Sequence, residues 1–502
     1  DFTVAIIGAG MSGILAAYRL KQSGVNYVIF EKNNAIGGTW LENTYPGCRV
    51  DVSNHVYCYS FMQKHDWPHF HSTQEVLLEY FNECVNHFGI RNDIRFSTEV
   101  SSAVWDEDSG RWVLELAGED GEETFICHSI VSAVGQLNRP SYPDIDGRDS
   151  FKGPSWHSAR WDHEEKIEGK NIAVIGTGCS AIQFIPRVAE EAASTIIFQR
   201  TPNWLMPRPQ YQKELPQNLL WCFDHIPFYN NWFRLHLFWR SHEGLLPRLE
   251  VDPEWDGNED NSVSASNHEL GFMLRLYLES EFNDDPELLE KVTPRYTMGA
   301  KRFVIDDGLW ATTLKRPDVT LCTDHIAEIT ETGLLTEDGT LYEAEAIIYG
   351  TGFKASEFLT PMKIVGRGGI DLHEQWDGVA QAYLGIVSPN FPNLFFMYGR
   401  NTNIVINGSI IYFSECEAHY ISRYIQYLLE NDITALDVKK EVHDEYNERI
   451  DEGNSQMAWG ASSVNSWYKN PHGKITQNWP FSLLEYWQQT REINPNDYIE
   501  LE

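Results

Sequence analysis

Positive charge is scarce in this sequence. Its 502 residues carry 39 Lys and Arg against 73 Asp and Glu, a formal net charge of −34, and a field of that sign repels phosphodiester backbones and anionic lipid surfaces. Neither nucleic acid nor a membrane is an expected partner. Long apolar runs are also missing. Nothing approaches the ~20 consecutive apolar residues that a bilayer-crossing helix needs, and the first residues lack the basic-then-apolar layout of a secretory signal. A soluble, cytoplasmic protein is the expectation. The eight cysteines, at 48, 58, 84, 127, 179, 222, 322 and 416, never stand two or four residues apart as closely spaced pairs. That removes zinc knuckles, a disulfide scaffold and a dithiol electron relay. No metal site is expected: His55, His65, His69 and His71 crowd one region without a convincing set of partner ligands and read as packing or surface residues.

What the sequence does have is length for two or three cores and two glycine-rich turns with strand-then-helix surroundings. The apolar run at 4–7 feeds Gly8, Gly10 and Gly13, and a helical stretch follows. The three glycines suit a tight turn, a close approach of backbone to pyrophosphate, and close helix packing, with the helix N-terminus facing the phosphates. A second strand at 27–30 ends on Glu31, placed to accept hydrogen bonds from a ribose hydroxyl. The same logic returns at 171–181, with Gly176, Gly178, Ser180 and an alanine at the third glycine position. Two such units imply two dinucleotides. The strand after the second turn ends in Arg200 and Thr201 where the first has an acid, and a guanidinium can clamp a 2′-phosphate that a carboxylate would repel. The second cofactor is therefore expected to be NADPH.

Between the two turns lie Phe151, Gly153, His157, Trp161 and Asp162 in the order Phe-x-Gly-x-x-x-His-x-x-x-Trp-Asp. Their spacing fits neither an alternating strand nor an apolar helix stripe, so the stretch reads as an ordered connector. It resembles the fingerprint of type I Baeyer–Villiger monooxygenases, filling every defined position. The resemblance extends along nearly the whole chain, and the Asn-Thr-Asn wording at 401–403 is most similar to the hydroxyacetophenone monooxygenase branch.

The resemblance implies an α/β fold with two Rossmann-like dinucleotide-binding domains, for FAD and NADP, and a mostly helical insert. The expected division is 1–140 for the first part of the FAD domain, 141–203 for the first part of the NADP domain with the fingerprint linker, 204–293 for the insert, 294–349 for the second part of the NADP domain and 350–502 for the second part of the FAD domain. It further implies that Gly38, Thr39 and Trp40 approach the flavin, that Asp51 is an active-site aspartate, that Arg302 is the catalytic arginine, and that Lys301 beside it reads the NADPH phosphate. Asn403 belongs to the segment that places a helix N-terminus at the flavin, and Trp467 to a loop over NADP. The implied reaction consumes NADPH and O2 and inserts oxygen beside a ketone carbonyl, through a C4a-peroxyflavin, to give an ester or lactone. The alternative is a flavin monooxygenase that oxidises amine or sulfide heteroatoms and has no need of the arginine. The oligomeric state is not legible.

Overall fold

The computed structural model describes residues 2–118, 121–241, 243–257, 261–406 and 408–501. Asn407, in the segment expected at the flavin, and residues 258–260, in the acidic loop of the insert, lie outside the described residues.

The fold is α/β, built on two five-stranded parallel sheets. The first runs Leu394–Phe396, Ser129–Ser132, Thr3–Ile7, Asn26–Phe30, Ile94–Arg95, and every neighbouring pair in it is parallel. Val4, Ala5 and Ile6 are fully buried, as expected of a strand covered on both faces. The second runs Val319–Cys322, Ser194–Phe198, Asn171–Ile175, Ala346–Tyr349, Ser155–His157, again all parallel. Each glycine turn follows the central strand of its sheet, which places both turns at the strands' carboxyl ends, where ligands of open α/β sheets bind.

Alternating segments at 94–115 and 123–134 suggest one small β-meander, and the structure corrects this: the antiparallel strands Thr98–Asp106, Arg111–Gly118 and Gly121–Cys127 form it, whereas Ser129–Ser132, buried throughout, returns to the first parallel sheet. Alternation over four residues is too short to separate the two cases. The fingerprint is also not wholly a connector, because Ser155–His157 forms the edge strand of the second sheet, with His157 opposite Tyr349. Around that strand the fingerprint residues pack. A Cβ on Gly153 would lie 2.4 Å from the Glu345 carbonyl oxygen. Phe151 packs against a core cluster under the second sheet, and Trp161 sits 5.3 Å from the ring of Phe184 on the helix Cys179–Glu191. Exposed Asp162 caps a turn, its carboxylate accepting from the backbone N–H of Glu164 at 3.0 Å. His157 is fully buried, its Nδ1 accepting from the Ala159 N–H at 3.1 Å, and burial holds it neutral, with its pKa lowered to about 4.

Residues 204–293 begin with a short strand, Leu205–Pro207, parallel to Val304–Asp306, and continue as the helices Gln217–His225, Tyr229–Ser241, Ala265–Phe282 and Pro286–Val292. Among the described residues no helix is long and apolar enough to cross a membrane.

The helix Ile410–Asn431 packs on the helix Met11–Gln22, where the hydroxyls of Ser12 and Ser414 meet at 3.0 Å. On it, Glu417 is fully buried and accepts from the Tyr398 N–H at 2.8 Å. Burial pushes its pKa up to about 8 against this and other hydrogen bonds. A carboxyl whose folded pKa is raised favours the fold below its unfolded pKa, and that contribution is lost as pH climbs through the folded value. The melting temperature of Glu417→Gln relative to the wild type is thus expected to rise steadily between about pH 5 and about pH 8, as scanning calorimetry at fixed ionic strength would read; a flat difference would contradict it.

Candidate active site

A continuous cavity of about 1570 Å³ runs between the two glycine turns. Its first end is made by Gly8, Gly10, Glu31, Gly38, Thr39 and Trp40. Gly8 has φ +102°, and a Cβ there would stand 2.8 Å from the Ala133 oxygen; one on Gly13 would stand 1.9 Å from the Gly8 oxygen. No larger residue fits at Gly8 or Gly13, and the turn holds the N-terminus of Met11–Gln22 against the cavity. Glu31, 4% exposed, accepts from the Ala9 N–H at 2.7 Å and the Asn33 N–H at 2.9 Å. Burial raises its pKa while those two bonds oppose the rise. The carboxylate is thereby fixed at the end of the second strand. Trp40 donates from its indole to the Tyr57 hydroxyl at 3.2 Å.

The second end holds Gly176, Gly178, Ser180, Arg200, Thr201 and Lys301. Gly176 repeats the conformation of Gly8 with φ +102°, and its Cβ would meet the Gly350 oxygen at 2.5 Å, whereas a Cβ on Gly178 meets nothing within 4 Å. The turn is therefore closed on the protein side and open toward the cavity at the N-terminus of Cys179–Glu191. Arg200 is exposed, and among the described residues neither it nor Lys301 has a carboxylate partner. The Lys301 ammonium lies 5.4 Å from the Tyr296 ring. Burial, then the nearby Arg200 charge, lowers its pKa to about 8. Two cations without carboxylate partners, close enough that Arg200 lowers the Lys301 pKa, are in so acidic a chain what a dianionic phosphate would stabilise.

Between the two ends, Arg302 donates to Asp51 at 2.7 Å and to the carbonyl oxygens of Ile404 at 3.2 Å and Val405 at 3.3 Å. The two side chains keep 21% and 27% of their surface open, and both line the cavity. Burial opposes charge on both, but each partner more than offsets it for the other, so the guanidinium pKa stands above its ordinary range and the Asp51 pKa below its own. A fixed cation with an ionised anchor results, 251 positions apart in sequence.

Asn403 and Trp467 also reach the cavity wall. Asn403 is 3% exposed, and its amide is engaged by the Tyr398 hydroxyl at 2.9 Å, Asn478 at 3.0 Å and the Ile404 carbonyl at 3.1 Å. The Trp467 ring lies 4.8 Å from that of Tyr468, tilted by 58°. Phe151, Gly153, His157, Trp161 and Asp162 are not among the lining residues; the fingerprint joins the sheets instead, Arg160 donating to Glu42 at 3.2 Å and to the Asn138 carbonyl at 3.3 Å. The histidines behave as packing residues: His55 lies 5.0 Å from both Phe223 and Phe233 with its pKa lowered by burial to about 3. Among the described residues no cluster of three or more His, Cys, Asp or Glu could hold a metal ion.

Sequence reasoning missed Gln183. From the helix after the second turn its amide accepts from the Tyr45 hydroxyl at 2.8 Å and the Arg49 N–H at 3.3 Å, and donates to the Arg49 carbonyl at 3.0 Å and the Tyr211 hydroxyl at 2.6 Å. It thus clasps the segment that carries Asp51. Its only trace in the sequence is a polar residue one turn past Cys179, facing in among buried neighbours.

The profile of the flavin-binding monooxygenase-like family matches residues 2–235. A Baeyer-Villiger monooxygenase of Streptomyces coelicolor is 33% identical over 499 residues, 99% of this chain and 92% of that protein. Among solved structures, OTEMO in complex with FAD and NADP superposes with a TM-score of 0.85 at 26% identity, covering 99% of both chains. The closed form of cyclohexanone monooxygenase superposes with a TM-score of 0.85 at 27% identity over the whole of both. This chain belongs to the flavin-binding monooxygenases, and within them to the type I Baeyer–Villiger group. It is an NADPH-dependent enzyme whose cofactors are FAD and NADP.

Proposed function

We propose that the protein inserts one atom of O2 beside the carbonyl of a ketone to give an ester or lactone. The observation that carries this reading is the Arg302–Asp51 contact of 2.7 Å on the cavity wall between the two glycine turns. Oxidation of an amine or sulfide asks for no fixed cation, whereas addition to a carbonyl develops an oxyanion that must be held out of water.

The chemistry supplied by a bound flavin would be acceptance of hydride from NADPH and activation of oxygen. The work of the chain is to hold and orient. Gly8, Gly10 and Gly13 would bring backbone and a helix N-terminus to the FAD pyrophosphate, with Glu31 on a ribose hydroxyl and Gly38, Thr39 and Trp40 against the ring system. Gly176, Gly178 and Ser180 would do the same for NADP, with Arg200, Thr201 and Lys301 on its 2′-phosphate. Arg302, turned by Asp51 and by the Ile404 and Val405 carbonyls, offers its guanidinium to the developing oxyanion. Asp51 stays ionised and keeps the guanidinium from swinging away. Gln183 steadies the Asp51 segment, and Trp40, Tyr57 and Trp467 keep water from the reacting atoms.

The domain boundaries set out from the sequence stand as part of this proposal, with the fingerprint acting as a coupler of the two dinucleotide halves rather than as a catalytic segment. For the substrate we favour aryl or bulky cyclic ketones, on the wording at 401–403 that resembles the hydroxyacetophenone branch and on the likeness to cyclohexanone monooxygenase. The compartment we favour is the cytoplasm, where all eight cysteines, free in the structure, would stay reduced.

Phosphate reading is testable separately. Arg200→Ala is expected to raise the KM for NADPH by roughly 10–100-fold, the cost of a charge-assisted hydrogen bond, while leaving that for NADH nearly unchanged. Because a phosphate binds protonated Lys301, the KM for NADPH in the wild type should also climb as pH rises past about 8. Steady-state kinetics with both nucleotides across that pH range checks both, and equal losses for NADH and NADPH would reject the assignment.

A further inference from the structure

The helix Tyr229–Ser241 is apolar on two faces. Inward, Phe233 lies 5.0 Å from His55 and 5.2 Å from Phe223, and Phe238 lies 5.8 Å from Tyr412. Outward, Phe228, Trp232, Leu235 and Trp239 are 74%, 68%, 52% and 65% exposed. A second apolar face on a helix is surface that gains by being covered, and no described residue covers this outer one. The spacing of the four, at steps of four, three and four, is the seam spacing by which one helix receives another.

Size and charge narrow the occupant. Monomeric proteins rarely expose contiguous apolar patches beyond a few hundred Å². Aromatic side chains present ~150–250 Å² each, so three of them more than half open, together with Leu235 and the neighbouring Trp221 at 56%, bring this face near the ~800 Å² that each partner gives to a stable interface. The sequence from 225 to 241 contains no Asp or Glu in a chain of net charge −34. Bodies that repel each other so strongly can meet only where acids are absent. An anionic bilayer is disfavoured by the same net charge, and the segment offers two arginines and no lysine to attract it.

We propose that this face docks against the same face of a second copy of the chain, two Tyr229–Ser241 helices crossing about a two-fold axis to make a homodimer. An isologous patch of this kind needs only self-complementarity, and an antiparallel crossing avoids opposing like helix dipoles. The reading is independent of the reaction assigned above.

The FAD-loaded protein should sediment at twice the mass of the chain over the micromolar range. Trp232→Glu/Trp239→Glu, and separately Leu235→Arg, should sediment as monomers while retaining bound flavin and the wild-type rate of NADPH oxidation. Both variants place the new charge in solvent, and retained flavin certifies the fold. A wild type that is monomeric at every concentration overturns the proposal. So does a dimer that survives both variants, and so does a monomeric wild type that floats with vesicles of zwitterionic lipid, which would give the face to a bilayer.

Discussion

Arg302→Ala is expected to consume NADPH and release hydrogen peroxide in place of ester. The guanidinium lies on the cavity wall and is held to a carboxylate 251 positions away in sequence, and removal of a preorganised donor to an oxyanion typically costs on the order of 10²–10³-fold in rate. Here the loss should be at the upper end or beyond, because a full charge is removed. Asp51 is affected at the same time. Burial is the largest influence on its pKa, and Arg302 is what overrides it, so in the variant Asp51 moves up toward protonation and no longer orders its surroundings. Hydride transfer does not need this pair and should continue. Arg302→Lys separates charge from geometry: it keeps the positive charge but loses the planar fork that reaches Asp51 and two carbonyls at once. A partial return of ester is expected. Ester formation at the wild-type rate by Arg302→Ala would remove this residue from the chemistry.

Gly13→Ala is expected to give a colourless protein. The added methyl would sit 1.9 Å from the carbonyl oxygen of Gly8 and 3.0 Å from its carbon. Both are backbone atoms of the same turn, so relief requires the turn itself to open, and the pyrophosphate cradle opens with it. Gly178→Ala offers the contrast, since its methyl meets no protein atom within 4 Å. That variant should fold, hold flavin and melt like the wild type, with only its KM for NADPH raised, because the space it fills is the space the nucleotide needs. The flavin-to-protein absorbance ratio of the two variants tests the difference. Full flavin in Gly13→Ala, or loss of flavin in Gly178→Ala, would contradict the reading of the two turns.

Much of this architecture is legible in the sequence because the two dinucleotide turns are local. Gly8, Gly10 and Gly13 answer to sterics within one strand, one turn and one helix, and Glu31 and Arg200 each end the next strand of their own sheet. Interactions that depend on chain-distant partners are not legible that way. Arg302 and Asp51 are singled out in the sequence only by the family resemblance, and nothing in their local sequence says that residues 251 positions apart meet. Gln183 was invisible for the same reason, as its four hydrogen bonds all go to another part of the chain. The edge strand Ser155–His157 was missed because three residues cannot display a period, and its pairing is set by Ile347, Ile348 and Tyr349 far along the sequence. A mostly helical insert at 204–293 is implied by the resemblance, but not which of its faces is left open.

The most direct test is product analysis under 18O2 with the FAD-loaded enzyme, NADPH, a panel of aryl and cyclic ketones, and an aryl sulfide in parallel. An ester or lactone carrying one 18O atom per molecule, formed from at least one ketone and lost in Arg302→Ala, is the predicted result. Sulfoxide from the sulfide with every ketone returned unchanged, at full NADPH consumption, would contradict it and assign the cavity to heteroatom oxidation.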